Sequence, residues 1–237
     1  MDSTLKRTWA EIDLDALSHN YHMLREKIGS EVKFLGVVKA DAYGHGSVQV
    51  SRLLQELGAD YLAVSSIDEA VELRHNDITM PILILGHTPK EQVSQLIKYH
   101  ITQAVTCKAK ALEYSEEAVR CGGTLKIHIK VDTGMSRLGY LCDGDYFENG
   151  VEGICEGCSL PGLNAEGIYS IEHTFPDKFC FASNWAMNGT PLEDLIKQVE
   201  ERLGKRFAIR HCANTGAVAR YPETYLDMVR PGLLLYG

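Results

Sequence analysis

Eight short, apolar, β-branched segments separated by helical patterns constrain this chain more than any other feature. They lie at 33–39, 61–66, 81–86, 101–106, 125–132, 163–170, 206–212 and 225–230, each bounded by turn residues. In SVQVSRLLQELGA, Val50, Leu53, Leu54 and Leu57 share one helical face and Gly58 stops the helix. IDEAVELRHN, KEQVSQLIKYH, AKALEYSEEAVRCGG and PLEDLIKQVEERLG repeat that pattern, and DGDYFENGVEGICEGCS does so more weakly. Strands alternating with helices of this length form parallel βαβ units. Eight of them predict a closed α/β barrel of the (β/α)8, TIM type. The rival, an open doubly wound sheet, usually carries G-x-G-x-x-G after its first strand, and that motif is missing here. ALSHNYHMLREKIG predicts a helix before the first strand, and TWAEIDLD predicts an extra strand outside the barrel. Residues 1–15 therefore read as an N-terminal segment and 16–237 as the barrel domain.

At 237 residues and 45% hydrophobic, the chain can bury a sizeable core, and α/β barrels often form one domain at this length. A net charge of −8 without any basic run argues against a nucleic-acid partner. No apolar stretch reaches the roughly 18 residues that span a membrane, and MDSTLKRTWAEIDLD lacks the apolar core of a signal peptide. The seven cysteines are odd in number and scattered, which suits reduced thiols. A cytoplasmic protein is the expectation. Cys155 and Cys158 form a single C-x-x-C with no second pair or histidines at ligand spacing, so no metal is expected.

In such barrels chemistry sits at the C-terminal ends of the strands. Strand one ends in Lys39 and strand three in Leu85-Gly86-His87. Strand five runs from Lys130 into TGMSRLG with Arg137, and His173 follows strand six. Strand seven ends in His211-Cys212-Ala213-Asn214-Thr215-Gly216, and strand eight in Arg230-Pro231-Gly232. A lysine partly desolvated at a barrel mouth has a depressed pKa and can act as an amine nucleophile. A lysine whose stem merely snorkels to water is the equal alternative on position alone. Asn214 and Thr215 suit a phosphate site, with a helix N-cap as a compatible alternative. Arg137 without context reads as a surface residue. His45, His87, His128 and His211 read as hydrogen-bonded scaffold.

These motifs resemble those of the alanine racemase family. VVKADAYGHG is similar to its pyridoxal-phosphate motif, WAEIDLDALSHN to its N-terminal segment, KVDTGMSRLG to its fifth-strand motif, and HCANTGAVARYP and DMVRPGLLLYG to its last two. The resemblance covers nearly the whole chain, with the motifs in order. It implies a pyridoxal 5'-phosphate barrel followed by a β-rich second domain. The implied activity is interconversion of L- and D-alanine, supplying D-alanine for peptidoglycan precursors. It also implies that Lys39 holds the cofactor as an internal aldimine and works one face of the substrate's Cα. Tyr43, Asn214, Thr215, Gly232 and Leu233 would bind the phosphate, with Thr215 standing where serine is common. Leu85 and His173 would line the cofactor. Arg137 would contact the cofactor's phenolic oxygen and orient the amino-acid substrate. Lys130 would be the lysine that many members carry carbamylated, and Arg230 would face the pyridine nitrogen. A guanidinium only donates and keeps its charge. It would leave that nitrogen unprotonated, disfavouring side reactions that need a long-lived carbanion.

The sequence departs from the family in two places. The strand-six pattern Gly-Ile-Phe-Thr-His-Phe is replaced by Gly167-Ile168-Tyr169-Ser170-Ile171-Glu172-His173, which sets the histidine two residues late. The sequence also ends at Tyr236-Gly237, before the domain from which a partner subunit supplies the tyrosine for the opposite face. It therefore reads as the barrel portion of a racemase that is a homodimer at full length. Serine racemase of the same fold, or a non-catalytic pyridoxal-phosphate-binding barrel, are the alternatives.

Overall fold

The computed structural model describes residues 8–133, 136–142, 144–170 and 192–237. All eight expected strands form. They are β1 (Lys33–Val37), β2 (Tyr61–Val64), β3 (Ile82–Ile84), β4 (Ile101–Val105), β5 (Leu125–Asp132), β7 (Leu163–Tyr169), β8 (Ile209–His211) and β9 (Met228–Val229). A two-residue strand that the sequence did not announce, β6 (Tyr140–Leu141), pairs with the end of β5. The sheet order is β8-β7-β5-β4-β3-β2-β1-β9, every pairing parallel. A parallel bridge between Asn214 and Arg230, with the Arg230 N–H donating to Ala213 O at 2.9 Å, brings β8 and β9 together and closes the barrel.

Helices cover the outside: α1 (Leu14–Ile28), α2 (Ser47–Glu56), α3 (Ile67–His75), α4 (Val93–Lys98), α5 (Lys108–Arg120), α6 (Phe147–Ser159), α7 (Leu192–Leu203), α8 (Thr215–Arg220) and α9 (Leu233–Tyr236). Alternation along the strands sorts side chains into two layers. Phe34, Leu62, Val64, Ile82 and Ile84 face outward and pack with Leu54, Leu73, Leu96 and Ile154 of the helices. Leu35, Val37, Tyr61, Ala63, Leu83, Ile209 and Met228 fill the barrel interior. Burial of each such Leu or Ile contributes roughly 1.5–3 kcal/mol.

The stretch TWAEIDLD departs from expectation. Residues 8–13 carry no strand, and Leu14 and Asp15 already belong to α1. The cause is Asp13, whose carboxylate accepts from the N–H groups of Asp15 and Ala16 at 2.9 and 3.0 Å. Satisfying those first-turn donors starts a helix where the alternating pattern suggested a strand. No helix among the described residues is long and apolar enough to cross a membrane. Cys158 is buried on the inner face of α6 and Cys155 is half-buried; burial pushes both thiols up, that of Cys158 to about 12.

Candidate active site

The polar side chains of the barrel occupy one half of its interior. Thr102, His128, Lys130, Asp132, His211 and Arg230 are buried on β4, β5, β8 and just after β9. The opposite wall, from β1 to β3, is apolar.

Lys39 stands half-buried two residues past the end of β1, after Val38 has turned the chain out of the extended conformation (φ −116°, ψ 15°). The next four residues are left-handed: Ala40 (φ 52°, ψ 52°), Asp41 (53°, 46°), Ala42 (53°, 47°) and Tyr43 (54°, 33°). None is glycine, and each L-residue in this conformation costs roughly 1–2 kcal/mol, or about 4–8 kcal/mol for the turn. Contacts from elsewhere in the fold must hold it. The Ser47 N–H at the start of α2 donates to Asp41 Oδ1 at 2.7 Å. Tyr236 of α9 packs its ring against Tyr43 and His45, with centroids at 5.4 and 4.8 Å, and donates its hydroxyl to Val37 O at 2.8 Å.

Tyr43 reaches from this turn toward the ends of β8 and β9. The Gly232 N–H donates to Thr215 Oγ1 at 2.8 Å. A Cβ at Gly232 would lie 3.0 Å from the Tyr43 hydroxyl and 3.6 Å from Thr215 Oγ1. Two hydroxyls thus converge on a glycine that leaves room between them. Asn214 caps α8, its Oδ1 accepting from Gly216 and Ala217 at 3.1 Å. Leu85 is half-buried at the end of β3 against the interior cluster, whereas the Leu233 side chain is 61% exposed.

Arg230 is anchored on three sides. It donates to Ser170 O at 2.7 Å, to Cys212 O at 2.9 Å and to His211 Nδ1 at 2.8 Å. Because a guanidinium only donates, His211 Nδ1 must accept. The proton of His211 then sits on Nε2, which faces His128 Nδ1 at 2.9 Å. His128 accepts there and carries its own proton on Nε2, which faces Glu166 Oε1 at 3.6 Å, beyond hydrogen-bond length. The Tyr169 ring stacks on His211, with centroids 4.7 Å apart at 9°. Its buried hydroxyl has no partner among the described residues.

Glu166 lies lower in the barrel, accepting from Tyr61 Oη at 3.3 Å and Thr102 Oγ1 at 3.2 Å and pairing with Lys126 at 3.1 Å. Burial pushes its carboxyl up, but His128 and Lys126 outweigh that and bring it down to about 2. A bulge delivers it inward: Ile127 pairs with Ala165 and His128 with Gly167, so Glu166 has no partner opposite. Gly167 is obligatory beside it, since a Cβ there would lie 2.6 Å from the His128 ring. Gly167→Ala is expected to cost about 2 kcal/mol, lowering the thermal midpoint by roughly 4–8 °C. Gly36→Ala, whose Cβ would press on the movable end of the Leu54 side chain and otherwise make an ordinary contact with Leu62, is the milder comparison. Equal thermal midpoints for the two variants would contradict this packing.

Lys130 is buried, and its Nζ donates to Leu138 O. Burial, then Arg137 and Arg230, lower its pKa to about 8 against the opposing pull of Asp132. Asp132 accepts from the N–H groups of Ser136 and Arg137, each at 3.0 Å. Arg137 itself is exposed. His173 lies outside the described residues. The sequence reading took His128 and His211 as scaffold and passed over Glu166 and Tyr169. The available signal was inward parity, which puts His128, Tyr169 and His211 on strand faces that should be apolar; Glu166 comes inward only through the bulge.

Fold and mouth together define a parallel (β/α)8 barrel whose hydroxyls, amines and guanidinium gather at the C-terminal ends of its strands. Residues 12–237 match the family described as alanine racemase, N-terminal domain, and the chain belongs to that family. It is 40% identical to alanine racemases of Desulforamulus reducens, over 229 residues, and Methanococcus maripaludis, over 231 residues. Each match covers 97% of this chain and 60% of the relative. Among solved structures, alanine racemase of Clostridium difficile 630 in complex with cycloserine superposes with a TM-score of 0.89 at 36% identity, covering 99% of this chain and 63% of that one. The enzyme of D-cycloserine-producing Streptomyces lavendulae gives 0.86 at 31%, covering 99% and 60%. The chain spans about 60% of the length of the curated relatives it matches.

Proposed function

We propose that this chain is the cofactor-holding barrel of a pyridoxal-phosphate-dependent alanine racemase, acting on L- and D-alanine as part of a homodimer. The observation that carries this reading is the cradle at Gly232. Tyr43 and Thr215 converge there on a space that a Cβ would fill, and a phosphate needs such hydroxyl and N–H donors. The strand end at Lys39 opens on the same mouth. Relatives that carry the name alanine racemase favour alanine over serine.

When bound, pyridoxal phosphate supplies a conjugated ring that makes an amino acid's α-proton removable. The residues divide the remaining work. Lys39 supplies the amine that holds the cofactor, then removes and returns the α-proton on its own face. Tyr43, Thr215 and Gly232 grip the phosphate. Arg230, fixed by His211 and two carbonyls, presents a permanent cation to the ring nitrogen and offers it no acidic proton. Lys130, brought down to about 8, keeps a minor fraction of neutral amine near neutral pH, which can add to carbon dioxide with release of one proton to solvent. The carbamate so formed would give neighbouring Arg137 an anionic partner and orient it toward the substrate.

The test mixes the purified chain with pyridoxal phosphate and follows absorbance and α-proton exchange of L- and D-alanine in D₂O. A visible band with exchange of at least one enantiomer is the expected result. No band from folded protein would overturn the cofactor reading. A band with no exchange of either enantiomer would instead make the chain a cofactor-holding protein without racemase chemistry.

A further inference from the structure

Among the contacts from distant parts of the chain that hold the left-handed turn after Lys39, one reaches its first peptide. Glu69, in the first turn of α3, accepts the Ala40 N–H on Oε1 at 2.7 Å and the Ser65 N–H on Oε2 at 2.6 Å. Both carboxylate oxygens are thus used on main-chain donors just past the ends of β1 and β2. Ser66-Ile67-Asp68-Glu69 has the form of a capping box, in which the glutamate turns back to the N–H of the cap residue. Half of the box is present, since Ser66 Oγ accepts from the Glu69 N–H at 3.3 Å. The glutamate side chain, however, leaves its own helix and bridges two strands.

Ala40 directly follows Lys39 and is the first left-handed residue. On its other side, Lys39 is fixed by the Val38 N–H donating to Ala63 O at 2.9 Å. The Val38 carbonyl, in the peptide that precedes Lys39, accepts the Ala42 N–H at 2.9 Å. With that peptide held by the turn, the Val37–Val38 peptide held by β2 and the Lys39–Ala40 peptide held by Glu69, the Cα–Cβ direction of Lys39 is set.

We propose that Glu69 is a positioning residue for Lys39. Its carboxylate holds the first peptide of the left-handed turn and so aims the amine into the barrel mouth. The proposal rests on the reading of Lys39 as the cofactor lysine. Glu69 itself touches neither cofactor nor substrate. Ala40 is solvent-exposed, so water can take over its N–H when the carboxylate is removed. Loss of Glu69 therefore disturbs aim more than folding.

The experiment compares wild type with Glu69→Ala, Glu69→Gln and the control Asp68→Ala, an exposed carboxylate in the same turn. The first readout, amide hydrogen exchange of Ala40 and Ser65, is taken on the protein without cofactor. Both amides are expected to exchange at least tenfold faster in Glu69→Ala and to be unchanged in Asp68→Ala. The second readout is the rate at which the visible band grows after mixing with pyridoxal phosphate. Glu69→Ala should slow it at least tenfold, with thermal midpoints close to wild type. Glu69→Gln keeps one accepting oxygen and is expected to fall between, which also covers the case of an unfolded alanine variant. Exchange unchanged in both Glu69 variants, or a band rate within twofold of wild type, would overturn the proposal. Absence of the band in wild type would instead overturn the reading of Lys39, while the exchange result still judges the clamp.

Discussion

Lys39→Ala is expected to abolish the visible band and to lower α-proton exchange of alanine by about 10²–10⁴-fold or more, since a positioned base alone contributes that much and here the same amine also holds the cofactor. The fold should survive. What fixes this part of the chain is main-chain bonding, with the Ala42 N–H donating to Val38 O at 2.9 Å and Ala40 to Glu69. Phe34, Leu35, Val37 and Val38 remain buried without the lysine stem. Lys39→Arg makes the sharper comparison. A guanidinium stays protonated and cannot serve as a nucleophile, so this variant keeps the positive charge and still loses the band. Exchange within tenfold of wild type in either variant would mean that another group carries the proton, and Lys39 would return to being a lysine that snorkels to water.

The barrel was legible because its signal is periodic. Leu35, Val37 and Leu83 alternate with Phe34, Gly36, Ile82 and Ile84, and turn residues punctuate every run. The placing of Lys39, Thr215, Arg230 and Gly232 at strand ends followed from the same pattern. What stayed hidden depends on partners that the linear pattern does not contain. The bulge that re-aims Glu166 exists only because β5 offers one residue fewer than β7 at that point. Ala40 to Tyr43 carry no glycine and no asparagine, so local propensity argues against the left-handed turn they adopt, and only contacts from α2, α3 and α9 enforce it. Glu69 reads locally as half of a helix cap, and its reach to Ala40 is a tertiary fact. TWAEIDLD failed in the opposite direction, because two short-range bonds to Asp13 outweighed an alternating pattern.

The buried histidines make the molecule acid-sensitive in a defined window. Burial lowers the pKa of His128 and of His211 below the ordinary value near 6.5. Arg230 pushes both down further, and Lys126 does so for His128, while Glu166 opposes it there. The unfolded chain therefore binds protons on these two sites as pH falls through about 6.5, while the folded barrel does not. More protons on the unfolded state means that stability rises with pH across this window and is lost on acidification. Each group contributes a slope of up to about 1.4 kcal/mol per pH unit, and the pair up to roughly 2.8 kcal/mol per pH unit. Glu166, at about 2 in the fold, adds loss in the same direction once pH drops below the ordinary carboxylate range near 4.5. Denaturant midpoints are thus expected to be level above about pH 7.5, to begin falling between about 7.5 and 6.5 and to fall steeply below. A level midpoint down to pH 5 would refute the neutral histidine pair. Loss of the cofactor band from still-folded protein should come only at lower pH than the onset of this fall, because His211 stays neutral in the fold well below about 6.5. Once protonated it puts a donor against the Arg230 donor at 2.8 Å and removes the acceptor that holds the guanidinium.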